Sequence, residues 1–529
     1  MNTLSIPTVP TKAALGLIVL LAIVLRIVFF VGLVSGDPQD DGVYYNNAFA
    51  LFNQGPTYLG QYRHLPAGFL ANPIDQFNVR PMVTYPVAAS FALFGAGELP
   101  ATLWSFACST LSVLVVYRLG FTLHGQAVGL IAALLCAFYP LEVINGTRIL
   151  SDVPLTFFTS MGLLLLVEGW KQARPMFFAW SGVAAGLAYL ANARGLVSLI
   201  ALAGCAVVLA AWRKADLRAP VFLLGGFMAI FSIEALVYSA ATGDPFLSYH
   251  IQSGASLFKY LHEPVTSLHW GPFQFRYTNG EPLYLVRSVL LMDDGPTRPY
   301  GFMFFLFIPS ILLSLVRRRN LLLTATAIGL FVYLELAPVR VSIDQAHREV
   351  EYMMLFKQQR YLLALTAPLV VLAADLLHTI ARGSRITAAA LILALFGTST
   401  VAIAGTRRHY RAGLEDMRAA TDYVVSHPDR TFYGDLWAVA HVRIFSRYRA
   451  QNLRVLDSRA NPGELAHACV MLGGSRGVEL LSDYVESTLP SFARDVLESG
   501  VPADWQVVQE IRGELNPQRR HDLTIYCVR

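Results

Sequence analysis

The residues best suited to chemistry are charged side chains at the ends of apolar runs. Asp40 and Asp41 are adjacent carboxylates that follow Asp37 just beyond the first long apolar run, and they lead into a segment carrying Tyr44, Tyr45, Ala48 and Leu51. A carboxylate next to an acceptor hydroxyl can act as a general base; the alternative is a solvated acidic loop. Of the pair, Asp41 is the preferred base, with Tyr45 expected beside it. Arg80 precedes Pro81, so its backbone is held extended. Its guanidinium would either snorkel as an interfacial anchor or grip phosphate oxygens in pairs. Arg148 and Asp152 stand four apart, the latter in Ser151-Asp152-Val153-Pro154. That pattern reads either as a helix cap or as support, with Asp152 orienting a catalytic or basic side chain. Arg194, in Ala191-Asn192-Ala193-Arg194-Gly195, and the dipeptide Arg360-Tyr361 complete the set.

These residues need elements to hold them, and the composition says which kind. Of 529 residues, 55% are hydrophobic and 15% charged, well under the charged share of about 25% usual in soluble domains. Apolar runs of spanning length occur near 13–35, 99–119, 126–145, 154–170, 176–193, 196–212, 219–239, 301–316, 320–338, 362–380 and 386–405. The shorter run at 86–97 is long enough only to lie along an interface. The first run is too long for a signal-peptide core and lacks a small-residue cleavage site, so it reads as a retained helix. Alternate gaps carry Lys12; Arg118; Lys171 and Arg174; Arg213, Lys214 and Arg218; Arg317 to Arg319; and Arg382 and Arg385. The positive-inside rule then puts the N-terminus in the cytoplasm and predicts about eleven transmembrane helices. The candidate residues all fall on the opposite, extracytoplasmic side, as do a first outer loop at 36–98 and a long loop at about 240–300. In the long loop His250, Lys259 and His262 lie among aromatics, and the first two are candidate substrate-loop residues. Asp293 and Asp294 lack further ligands at a telling spacing, so no metal site and no other cofactor is expected. The net charge of +5 is scattered through short loops, which gives no basic face for nucleic acid.

From about 411 the pattern changes. Helix-like runs (Leu414–Ser426, Leu436–Ser446, Val478–Val485, Leu489–Glu498) alternate with β-rich ones (Thr431–Tyr433, Leu453–Leu456, Ala468–Leu472, Gln506–Ile511, Leu523–Val528). This predicts a soluble α/β domain over 411–529 with a largely parallel sheet, on the extracytoplasmic side. Gly473-Gly474-Ser475-Arg476-Gly477 reads as a tight turn. Cys108, Cys136 and Cys205 lie in apolar runs as small buried hydrophobes, whereas Cys469 and Cys527 could pair in an oxidising compartment.

The order Asp41, Tyr44-Tyr45, Ala48, Arg80-Pro81, Tyr85-Pro86, Phe94-Gly95, Arg148…Ser151-Asp152, Gly186-Leu187-Ala188…Arg194 and Arg360-Tyr361-Leu362-Leu363 with Pro368 resembles the GT-C membrane glycosyltransferases. It resembles most the branch of dolichyl-phosphate-mannose protein mannosyltransferases and the bacterial aminoarabinose transferase of lipid A. The resemblance covers roughly residues 10–410. It implies a mainly α-helical polytopic membrane protein that transfers a sugar, with inversion, from a polyprenyl-phosphate donor to a lipid, glycan or protein acceptor. Asp41 is the catalytic base it implies, and Arg80, Arg194, Arg360 and Tyr361 are the donor phosphate-binding residues. A bacterial inner (plasma) membrane is the implied location. Aminoarabinose transferases typically carry Lys-Pro-Pro where this chain has Arg80-Pro81-Met82. The competing reading is a transporter or flippase for a lipid-linked or anionic substrate; a non-catalytic scaffold would leave the outer arginines unexplained. The readings diverge on where ionisable residues gather: at one interface for a transferase, near mid-membrane for a carrier.

Overall fold

The computed structural model describes residues 11–33, 40–62, 80–213, 218–251, 266–270, 273–277, 285–287, 301–336, 338–342, 350–354, 359–412, 414–434, 436–455, 468–473, 505–511 and 523–528. The helices run in chain order as α1 (Thr11–Val28), α2 (Asp40–Gln54), α3 (Pro81–Phe94), α4 (Glu98–His124), α5 (Gln126–Ala137), α6 (Pro140–Asn145), α7 (Asp152–Gln172) and α8 (Pro175–Ala191). They continue as α9 (Gly195–Arg213), α10 (Arg218–Thr242), α11 (Met303–Arg317), α12 (Leu321–Leu336), a 3-10 turn (Gln359–Leu365), α13 (Thr366–Gly383) and α14 (Arg385–Ala412). Among the described residues, six helical stretches are long and apolar enough to cross a membrane. Large apolar side chains such as Leu17, Ile27, Val316 and Ile386 stay exposed on helix flanks, as expected of surfaces that meet lipid.

The predicted runs become these helices with two differences. The run at 126–145 is broken: α5 stops at Ala137, and Pro140, which lacks an amide hydrogen, restarts the chain as α6. The short interfacial run begins earlier than expected, because Pro81 opens α3 directly behind Arg80.

Close approach of α8 and α10 depends on missing side chains. A Cβ on Gly182 would strike the Leu223 carbonyl, and one on Gly226 the Ala179 carbonyl, the small-residue packing common between helices in lipid. At the end of α1, the fully buried Arg26 donates from Nε to Ser109 Oγ at 2.9 Å. Ser109 Oγ lies 2.9 Å from the Glu142 carboxylate. A buried cation is thus answered by a buried carboxyl and a hydroxyl, and α1, α4 and α6 are fastened together beneath the loop that carries Arg148.

The described residues also form two sheets. β1 (Thr266–Trp270), β2 (Phe273–Tyr277), β3 (Pro338–Ser342) and β4 (Val350–Met354) form a sheet in the order β1-β2-β4-β3, which the sequence pattern did not signal. The C-terminal part has the five predicted strands, β5 (Thr431–Gly434), β6 (Leu453–Val455), β7 (Ala468–Gly473), β8 (Trp505–Ile511) and β9 (Leu523–Val528), and the first two predicted helices, α15 (Glu415–Ser426) and α16 (Leu436–Phe445). Its sheet order is β6-β5-β7-β9-β8. The expectation of a largely parallel sheet is corrected: β5 pairs parallel with β6 and β7, but β9 runs antiparallel to both β7 and β8. Cys469 and Cys527 are registered partners on β7 and β9 and form a disulfide. The expected helices at 478–485 and 489–498, and the turn after Gly473, lie outside the described residues.

Candidate active site

The helices alternate in direction, so the start of α3, α7, α9 and α13 and the end of α8 gather at one end of the bundle. The candidate charges sit at those termini, where α2 also lies. Asp41, in the first turn of α2, and Arg148, just before α7, form a two-pronged pair: Arg148 Nη2 lies 2.8 Å from Asp41 Oδ1, and Nε 3.2 Å from Oδ2. Asp41 is 0% and Arg148 6% exposed. The Arg148 guanidinium also lies 4.9 Å from the ring centre of Tyr410, near the end of α14. Burial opposes the charge on Arg148, but Asp41 and Tyr410 outweigh it and move its pKa above the ordinary arginine value.

Asp152 opens α7, yet the cap reading is corrected. Ser151 makes no side-chain cap. Asp152 instead pairs with two arginines from separate elements, Arg194 Nη2 at 2.8 Å and Arg360 Nε at 3.3 Å. Arg194 lies between α8 and α9, and its guanidinium carbon is 3.6 Å from the ring centre of Tyr361. Asn192 Oδ1 accepts hydrogen bonds from the Arg194 backbone N–H at 3.1 Å and Nε at 3.3 Å. Burial disfavours the Arg194 charge, but Asp152 and Tyr361 raise its pKa overall. Both cations therefore stay ionised at any pH the folded protein meets.

Arg80 joins the cluster through Ser151. Its Nη1 donates to the Tyr44 hydroxyl and lies 3.3 Å from Ser151 Oγ, which also accepts from Asn192 Nδ2 at 2.9 Å. One hydroxyl thus links Arg80 to the Asn192–Arg194 hairpin.

Between these charges and the membrane part lies a narrow cavity of about 20 Å³ lined by Asp152, Thr156, Arg194, Ser198, Tyr333, Arg360 and Tyr361. On the opposite flank of α12 is a wholly apolar cavity of about 220 Å³ lined by Phe304, Ile308, Ala327, Ile328, Phe331, Leu365 and Leu369, among others. Successive residues of the 3-10 turn ahead of α13 line both: Leu363 and Ala364 the charged cavity and Leu365 the apolar one.

The structure brings together Asp41, Arg80, Arg148, Asp152, Arg194, Arg360 and Tyr361. It does not bring in His250, which is exposed and bonded to Asp244 at 2.7 Å. Its place among aromatics reflected a surface loop. Tyr45 is also set apart: it packs on Phe91 and Tyr448, at ring-centre distances of 4.9 and 6.3 Å. Lys259, His262, Asp293 and Asp294 lie outside the described residues, as does the side chain of Asp40. Four contributors were not foreseen as site residues. Ser151 and Asn192 are small polar residues beside charges already singled out. Tyr44 was noted only as part of the run after Asp41. Tyr410 stands too far along the chain to be linked to Arg148 from sequence.

Residues 78–238 match the dolichyl-phosphate-mannose-protein mannosyltransferase family. None of the curated proteins is a sequence match. The fold is similar to that of ArnT from Cupriavidus metallidurans in the apo state, with a TM-score of 0.60 at 14% identity over 97% of this chain and 98% of that one. It is equally similar to ArnT bound to undecaprenyl phosphate, with a TM-score of 0.59 at 14% identity and the same coverage, 97% and 98%. The Archaeoglobus fulgidus oligosaccharyltransferase tethered to an acceptor peptide matches with a TM-score of 0.50 at 16% identity, over 86% of this chain and 64% of that one. At these identities the likeness is one of fold. The chain is an integral membrane protein with a fold like that of ArnT.

Proposed function

We propose that the chain is a glycosyltransferase that moves a sugar from a polyprenyl-phosphate donor to a lipid, glycan or protein acceptor, with inversion. The observation that carries this reading is the gathering of four arginines and two carboxylates at helix termini on one end of the bundle. A carrier would hold its ionisable groups near mid-membrane. The opposite end has the basic turns, so the positive-inside rule makes the site end extracytoplasmic. The disulfide in the C-terminal domain favours the same side. A bacterial inner membrane, with residues 1–410 as the catalytic membrane domain and 411–529 as an outer domain, fits this arrangement.

Mechanistically, the donor already carries a phosphate leaving group. The protein must neutralise the charge that develops as the sugar–phosphate bond breaks, and must take a proton from the acceptor. Arg80, Arg194 and Arg360 serve the first task, with Asp152 and Tyr361 fixing the direction of two of them. Asp41 serves the second, with the two-pronged Arg148 pair aiming its carboxylate. The polyprenyl tail lies in the apolar cavity beside α12, which puts the phosphate next to Arg360 in the 3-10 turn ahead of α13. ArnT from C. metallidurans has been seen with undecaprenyl phosphate bound, which supports a donor of that chemical class.

The test is sugar transfer by purified protein in nanodiscs, offered a panel of polyprenyl-phosphate sugars, with wild type beside Asp41→Asn and with or without a chelator. Transfer or donor hydrolysis that is lost in Asp41→Asn and indifferent to chelator is expected, because arginines supply the positive charge. Silence across the panel, with labelled lipid still crossing a sealed membrane, would transfer the case to a flippase.

A further inference from the structure

We propose that the C-terminal α/β domain is a brace for α2, and that Tyr448 and Arg418 are positioning residues for Asp41. This rests on reading Asp41 as the acceptor base. A helix as short as α2 is marginal by itself, and its carboxylate has to hold a place within a fraction of an ångström. The domain grips the chain on both sides of Asp41. After it, the Tyr448 ring stacks on Phe49 with centroids 3.8 Å apart and planes within 3°. The Tyr448 hydroxyl donates to Asn46 Oδ1, three residues from Phe49 and one helical step away. Before it, Arg418 on α15 holds the Glu98 carboxylate with two hydrogen bonds, of 3.0 and 2.6 Å. The same Glu98 accepts the Leu33 N–H at 2.8 Å. One carboxylate therefore ties the domain to the segment that leads into α2.

The local backbone singles out Tyr448 as well. Arg447 and Tyr448 are consecutive non-glycine residues in the left-handed region, with φ of 55° and 58°. Such residues are strained and persist where the surroundings hold them in place. Here the turn directs the Tyr448 ring off the end of α16 and onto α2.

The test uses full-length protein in nanodiscs carrying Tyr448→Ala, Tyr448→Phe or Arg418→Gln, with two readouts. Hydrogen exchange over residues 40–54, measured without substrate, reports the brace. Turnover and donor KM, measured with the donor that wild type accepts, report its use. Faster exchange across α2 in Tyr448→Ala and Arg418→Gln is expected, with kcat down about tenfold and donor KM within about twofold. Tyr448→Phe, which keeps the stack, should recover most of both. Wild-type exchange in the first two variants overturns the proposal, as does faster exchange with unaltered kcat. A wild type that transfers nothing overturns the reading of Asp41 as base and, with it, the positioning role; exchange then decides only whether the domain holds α2. If Tyr448→Ala does not fold, Arg418→Gln and Tyr448→Phe decide by the same criteria.

Discussion

Arg148 binds Asp41 by both prongs of its guanidinium, although the acid four residues from it in sequence is Asp152. That nearer acid is taken by Arg194 and Arg360. Two separate ion clusters therefore start within the stretch from Arg148 to Asp152, one holding Asp41 and the other lining the cavity. Asp41→Asn is expected to lower transfer about a hundred- to ten-thousandfold, the range of a lost general base, in an assay with saturating donor. Arg148→Lys keeps the charge but not the fork, and should be nearly as impaired. Arg148→Ala leaves a buried carboxylate uncompensated and should cost about 3–5 kcal/mol of stability, read by thermal unfolding in detergent.

Arg194 and Arg360 are assigned to the donor phosphate, so each should act on donor affinity. Arg194→Gln and Arg360→Gln are expected to raise donor KM about tenfold or more, the worth of a charge-assisted hydrogen bond. Tyr361→Phe preserves the ring face under Arg194 and should stay near wild type, whereas Tyr361→Ala should resemble Arg194→Gln. Equal donor KM in all four variants would remove the cavity from the donor site.

The apolar cavity beside α12 gives a test of lipid placement. Ile328 lines it and is 39% exposed, so Ile328→Trp narrows the cavity without opening the core. A raised KM for long-chain donors, with short-chain donors unaffected, is the expected result in paired kinetic runs. An equal effect on both would mean that the tail lies elsewhere.

The bond between Cys469 and Cys527 spans 58 residues of sequence. Closing a loop of that size stabilises by about 4 kcal/mol in the chain-entropy account. Reductant, or Cys469→Ser, should lower the unfolding temperature of the C-terminal domain, and thiol counting of the unreduced, denatured protein should find the three remaining free cysteines. Five reactive thiols without reductant would show that the bond does not form.

Much of this was legible in the sequence because membrane helices announce themselves. Unbroken apolar length gave nearly every helix among the described residues. Arg80, Arg194 and Arg360 could be found since a cation at a helix end that the alternation of basic turns does not account for needs a reason. What stayed hidden was pairing. Nothing in a one-dimensional pattern says that Arg148 would choose Asp41 over Asp152, because that choice depends on where α2 lands. The break at Pro140 was readable but was outweighed by the apolar run around it. The antiparallel β9 in the C-terminal sheet was missed because alternation of helix and strand predicts parallel crossovers only while a helix precedes each strand. His250 misled for the opposite reason: its aromatic neighbours had no shared burial behind them.

One shared carboxylate has a kinetic consequence. Asp152 cancels only one of the two arginines that it holds, and Asp41 is paired with Arg148. With Arg80 added, the described side chains of the site hold four cations against two anions, an excess of two positive charges. An intact donor, a phosphodiester, brings one negative charge, whereas the spent polyprenyl monophosphate approaches two at neutral pH. The site's charge therefore matches what the reaction leaves behind at least as well as it matches the donor, so the spent carrier should bind more tightly than the intact donor. Added polyprenyl phosphate should then inhibit at concentrations below the donor KM, and inhibition only well above that KM would refute the inference.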